Sequence, residues 1–115
     1  MLPQAARMRD GDEFRRTIRR GASASTSTLV THLALTDEPD VRVGLVVGKK
    51  VGNAVVRNRV KRRIRHALRD ELATLPQGAR VVVRALAPAA HSTDLAADAV
   101  GSLRRAERRT TAARV

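Results

Sequence analysis

Residues 49–65, KKVGNAVVRNRVKRRIR, constrain the fold more than any other stretch. They carry eight basic residues and no acid in seventeen positions, yet keep Val51, Val55, Val56, Val60 and Ile64 among the charges. A disordered basic tail has no use for those valines, and an ordinary surface helix has no use for so much charge. From 55 to 75, Val56, Val60, Ile64, Leu68 and Leu72 recur at steps of four with Ala67 beside them. That spacing predicts a long helix with one buried stripe. Residues 49–54 form a loop that turns at Gly52-Asn53, Asn53 is placed to cap the helix, and Pro76 and Gly78 close it.

On a helical wheel Arg57, Lys61 and Arg65 line one flank of the stripe and Arg59 and Arg63 the other. Asn58, Arg62 and Arg69 point away from the core, and no acid relieves the array before Asp70 and Glu71. Like charges four apart on a helix cost about 0.2–0.5 kcal/mol per pair. A helix that accepts this repeatedly is better explained by a polyanion than by solubility.

Composition supports the same partner. There are 23 Lys and Arg against 11 acids, a net charge of +12, and twenty of the basic residues are Arg, whose fork matches phosphate oxygens in pairs. An acidic membrane would want bulky apolar anchors, and the chain has one Phe and no Trp or Tyr. At 115 residues with 43% apolar content, it fits one domain with an aliphatic core, residues 1–115, with 1–9 and 109–115 as flexible ends. Cysteine is absent, no apolar run approaches a membrane span, and the N-terminus turns charged before a signal-like core forms. A soluble intracellular protein is expected.

Along the rest of the chain, DGDEFRRTIRRG reads as a short helix capped at Asp10 or Asp12 and ended by Gly21, with Phe14 and Ile18 on one face. Residues 23–35 read as a strand, bent or split near its Ser-rich start. After the turn TDEPD, residues 41–48 read as a second strand, antiparallel to the first. ARVVVRALAP suits an interior strand, and a final helix capped by Ser92 or Thr93 follows it. This order predicts an α+β layer sandwich with a parallel strand–helix–strand crossover, right-handed by the general rule.

Competing chemistries are weaker. Most acids are accounted for by helix starts or by the turn at 36–40, which leaves no convincing two-metal nuclease site. His32, His66 and His91 lack catalytic or ligand spacing, and His32 reads first as a plain strand residue. GLVVGKK is one residue short of a phosphate-binding loop and lacks its Ser or Thr. As a lone aromatic, Phe14 is a core anchor before it is a base-stacking platform.

KKVGNAVVRNRVKRRIR, centred on Arg57-Asn58-Arg59, resembles the signature of the protein subunit of bacterial ribonuclease P. MLPQAARMRDGDEFRRTIRRG is similar to the family's opening, RVGLVVGKKVGNAVVRNRVKRR to its strand–loop–helix unit, and ARVVVRALAPAA to the strand that follows, so the resemblance covers about residues 1–108. It implies a two-layer α/β sandwich on a mixed sheet of about four strands. The crossover would be left-handed, as in a ribosomal protein domain and a domain of elongation factor G.

The resemblance also implies an enzyme whose catalyst is RNA. The large RNA subunit would bind Mg2+ and remove the 5′ leader of precursor tRNA, while the small protein binds that RNA and the leader in the cytoplasm. No catalytic residue in the protein, no obligatory protein partner and no membrane are expected. By position, Lys49, Lys50, Asn53, Arg57, Asn58, Arg59, Lys61, Arg62, Arg63 and Arg65 match the RNA-binding motif. Asn58, uncharged, would hydrogen-bond a phosphate, a base or a metal-bound water; no direct metal ligand is implied. Phe14 matches the first aromatic of the leader cleft, which reverses its assignment to the core. Ile18 and His32 stand where the family often has a second aromatic and a Tyr, and Gly48 where Ser is common. The alternative is a non-catalytic structural RNA-binding protein, such as a ribosomal component or assembly factor.

Overall fold

The computed structural model describes residues 4–114, with side chains described from 5 to 110. The Leu2-Pro3 pair of the family-like opening and Val115 lie outside the described residues. The first helix, α1 (Gly11–Arg20), starts where predicted: the Asp10 carboxylate accepts the Asp12 N–H at 2.9 Å. Gly21 ends it because a Cβ there would lie 2.6 Å from Thr17 O and 2.8 Å from Leu33 O.

The Ser/Thr-rich segment is split, as its composition suggested, into β1 (Ala22–Ser25) and β2 (Leu29–Leu35). The break is stabilised by Thr26 Oγ1, which accepts the N–H groups of Thr28 and Leu29 at 3.1 Å each. β3 (Arg42–Val46), α2 (Ala54–Arg69), β4 (Ala79–Ala85) and α3 (Leu95–Arg114) complete the fold.

Sheet order is β1-β2-β4-β3, with β1/β2 and β2/β4 antiparallel and β3/β4 parallel. This four-stranded mixed sheet corrects one expectation: β3 runs opposite to β2 but does not pair with it. β4 lies between them because Ala79–Val83 are buried on both faces, and only a central strand hides both. β3 is left at the edge, where Met8 N–H donates to Val43 O at 2.9 Å and Arg7 bridges Val43. The opposite edge is capped by arginines of α3, Arg105 donating to Ser25 O at 2.9 Å and Arg109 to Ser23 O.

Alternation along the strands divides the interior. Leu29, Leu33, Val43, Val81 and Val83 join Val60, Ile64 and Leu68 of α2 and Leu95, Ala99 and Leu103 of α3 in the main core. Burying the three α2 side chains is worth roughly 1.5–3 kcal/mol each. That exceeds the repulsion along the helix, about 1–2 kcal/mol for its four like-charge pairs at i,i+4. The apolar stripe therefore holds the charges in order. The other face of the sheet carries Arg42, Gly44, Arg80 and Val82 under α1, a thinner layer that also buries Met8 and Thr17.

α2 ends at Arg69, not near Leu75, and Leu72 sits half-buried in a separate 3-10 turn, Leu72–Thr74. Asp70 and Glu71 follow at the negative end of the helix dipole, and the Glu71 N–H tightens onto Leu68 O at 3.0 Å. Gly78, at φ +84°, then reverses the chain into β4. α3 begins later than the predicted caps. Asp94 O accepts the first helical bond from Asp98, and Ser92 Oγ braces the Asp94 N–H at 3.0 Å.

Candidate nucleic-acid interface

β3 delivers the chain into the basic loop. Val47 and Val51 are buried, which pins both ends of the turn closed by Val51 N–H donating to Gly48 O at 3.1 Å. Lys49 and Lys50 between them are exposed. Asn53 then caps α2 as predicted, its Oδ1 accepting the Val56 N–H at 3.0 Å, which leaves its amide N–H groups for a ligand.

The α2 array divides in two. Asn58, Arg59 and Arg62 are exposed and make no hydrogen bond or ion pair among the described residues. Arg57, Lys61 and Arg65 are half-buried along the flank nearer the β3 edge, and the Arg57 Nε is shielded from solvent without a partner. Arg63 differs from the rest: its Nη1 donates to Ser92 O at 3.0 Å and ties α2 to the segment before α3. Arg15, Arg42, Arg69, Arg80 and Arg104 form ion pairs with carboxylates, and none of these arginines lies in 49–65. The field of the array is therefore unneutralised by side chains.

Lys61 and Arg65 meet Phe14 in one cleft of about 290 Å³, lined also by Arg7, Met8, Arg9 and Gly44. Burial, and then the neighbouring Arg7 charge, lowers the pKa of Arg65 from its ordinary value. Two guanidinium groups held near each other favour an anion between them. Phe14 is half-buried and packs on Gly44, where a Cβ would overlap its Cε1 and Cζ atoms. It is neither a core residue nor a free one. Ile18 is also half-buried, one turn along the same helix face.

His32 lies on the sheet face shared with Gly44, in register with Ser23 and Val82 and two strands, about 10 Å, from Gly44. It is buried, at 7% exposure, and neither ring nitrogen has a hydrogen-bond partner. Burial lowers its pKa, and the Arg84 charge lowers it further. Nothing in the alternation of β2 predicted that this face would be covered at His32. Residue spacing also failed to show that Met8, Arg9 and Gly44 line the Phe14 cleft, because the β3 edge assembles it from segments far apart in sequence.

The basic loop and the α2 array, residues 49–65, contain no carboxylate, so their donors fit phosphate and not direct coordination of a magnesium ion. Elsewhere, the Asp98 carboxylate accepts the Thr28 hydroxyl at 2.6 Å. No helix among the described residues is long and apolar enough to cross a membrane.

A model of the ribonuclease P family matches residues 2–107. The chain is 56% identical over 107 residues to a ribonuclease P protein component of Beutenbergia cavernae, covering 90% of this chain and 89% of that one. It is 54% identical over 97 residues to the same component of a Nocardioides species, covering 81% and 82%. Among solved structures it resembles the RNase P protein of Staphylococcus aureus, with a TM-score of 0.81 and 27% identity over 90% of this chain and 97% of that one. The Thermotoga maritima RNase P protein shares the fold, with a TM-score of 0.71 at 24% identity over 90% and 96%.

Proposed function

Because the chain belongs to the ribonuclease P protein family, the protein components of a ribonucleoprotein endoribonuclease that matures tRNA 5′ ends, we propose a division of labour between its two basic surfaces. The loop and outer α2 face (Lys49, Lys50, Asn53, Arg57, Asn58, Arg59 and Arg62) bind the catalytic RNA in the cytoplasm. The cleft of Phe14, Lys61 and Arg65, with Ile18 and His32 on the same side of the sheet, receives the 5′ leader of precursor tRNA. Its unneutralised array supports this most directly, since seven basic residues kept free of acids suit a phosphate backbone. Each phosphate contact releases counterions, and α2 holds the contacts in fixed register, so little order is lost on binding.

Magnesium would be held by the RNA and would supply the activated water for phosphodiester hydrolysis. From this chain, Asn58 fits only an indirect contact, its amide oxygen accepting from a metal-bound water. The arginines around it neutralise phosphates and let the RNA approach closely.

Incubating the protein with precursor tRNA and Mg2+, with and without the large RNA, tests the assignment. No cleavage is expected from protein alone, and cleavage at low Mg2+ should rise when both are present. Cleavage at the mature 5′ end by protein alone overturns the division of labour; no enhancement assigns the array to a purely structural RNA role.

A further inference from the structure

One row of the sheet face beneath α1 is open. Val30 of β2, Arg84 of β4 and Val46 of β3 are in register across three neighbouring strands, two residues beyond the row of His32, Val82 and Gly44. Val46 is 39% exposed, Arg84 is exposed and Val30 is half-buried. Arg84 makes no hydrogen bond or ion pair among the described residues. Arg80, four residues earlier on the same face, is the opposite case: 3% exposed and held by Glu13 and Asp40.

A solvated arginine on a sheet is ordinary. Three observations set Arg84 apart. It lies on an interior strand, in register between half-buried Val30 and exposed Val46, so its neighbours across both strands are apolar. Its neighbour on this face, His32, is kept toward the neutral form by burial and by Arg84 itself, and no carboxylate among the described residues pairs with Arg84. The row also lies about 7 Å along the strands from Gly44, which carries the Phe14 ring, and β3 runs from Val46 directly into the loop of Lys49 and Lys50. A guanidinium plane is weakly hydrated and stacks on bases, and unpaired bases are held in this way where aromatics are scarce. Phe14 is the chain's one residue among Phe, Trp and Tyr.

We propose that Arg84, walled by Val30 and Val46, is a stacking platform for a single-stranded base of the substrate leader, adjacent to the one taken by Phe14. This rests on the assignment of the Phe14 cleft to the leader. It adds a second base site that contributes to discrimination between precursor and mature tRNA.

The test uses holoenzyme assembled with Arg84→Ala, Arg84→Lys or Phe14→Ala protein. Binding is measured to mature tRNA, to precursor tRNA, and to precursors carrying one abasic residue at each leader position in turn. Arg84→Ala should weaken precursor binding about tenfold, the loss of one stacked base, and leave mature tRNA unchanged. Arg84→Lys should lose nearly as much, because an ammonium keeps the charge without the plane. One abasic position should make the wild type and Arg84→Ala equal. Full rescue by Lys, with no abasic position that cancels the effect, overturns stacking in favour of a phosphate contact. Equal loss of mature tRNA binding overturns a leader site at Arg84. An effect of Phe14→Ala without one of Arg84→Ala overturns this proposal alone. No effect of either variant overturns the leader cleft itself.

Discussion

The Phe14 ring lies over Gly44 so closely that a methyl group on the glycine would overlap its Cε1 and Cζ atoms. A helix side chain and an edge-strand backbone thus set the cleft floor together. Gly44→Ala should push the ring off the strand, since the overlapping atoms are the movable end of the side chain and Met8 Cβ, at 3.1 Å, leaves little room elsewhere. Precursor binding by the holoenzyme should fall about tenfold, as for a lost base stack, while affinity for the large RNA stays within twofold. Unchanged discrimination between precursor and mature tRNA would show that the ring's position is immaterial to the leader.

Two arginines one position apart on α2 should behave differently. Arg62 is exposed and unpaired, whereas Arg63 donates to Ser92 O. Arg62→Ala should reduce the slope of log affinity against log salt for the large RNA by about one unit, one phosphate contact, with thermal stability unchanged. Arg63→Ala should instead lower stability by about 1 kcal/mol and alter the salt slope less. Salt titrations and melts of the free proteins separate the two, and equal slopes would return Arg63 to the RNA surface.

The α2 stripe, its Asn53 cap and the start of α1 were legible because each depends on residues within a turn or two of one another. The sheet order was not. The short connection at 36–40 suggested a hairpin, but burial of Ala79–Val83 on both faces put β4 between β2 and β3. Arg80 and Arg84 flank VVV symmetrically in the sequence, and nothing local marks one as buried and paired and the other as open and unpaired. Only the position of α1 across the sheet separates them. Phe14 was ambiguous for the same reason, since half-burial at an edge is neither pattern that composition can propose.

Arg80 holds α1 and the turn before β3 to the sheet. Its Nη1 donates to Asp40 O at 2.8 Å, its Nη2 to Asp40 Oδ1 at 2.9 Å, and its Nε lies 3.4 Å from Glu13 Oε2. Arg80→Met should destabilise the protein, chiefly by removing the buried guanidinium from beside Glu13, because Asp40 keeps Arg42 and water. Hydrogen bonds from Arg42, then Arg80, lower the Asp40 pKa below its ordinary 3.8. That contribution is present above pH 3.8 and is lost as pH falls through the folded value. The deficit of the variant in urea melts should therefore be constant at neutral pH and narrow only below pH 3.8. A deficit that narrows near pH 6 would point to another group.

His32 shifts stability with pH in the same direction, but as a penalty on the charged form and not as a stabilising contribution. Burial, then the Arg84 charge, lowers its pKa below 6.5, so the unfolded chain takes up a proton that the folded chain resists. Stability is then unaffected above pH 6.5 and declines as pH falls from there toward the folded pKa. Both ring nitrogens are also buried without partners, which costs the folded state even when the ring is neutral. His32→Leu removes both penalties while keeping β2 apolar toward Val82. The variant should match or exceed the wild type by up to about 1 kcal/mol at pH 7.5, and its advantage should grow as pH drops below 6.5. Urea midpoints at half-unit steps from pH 7.5 to 5.5 give the comparison. Parallel curves for the two proteins would mean that the imidazole is protonated as readily in the fold as out of it.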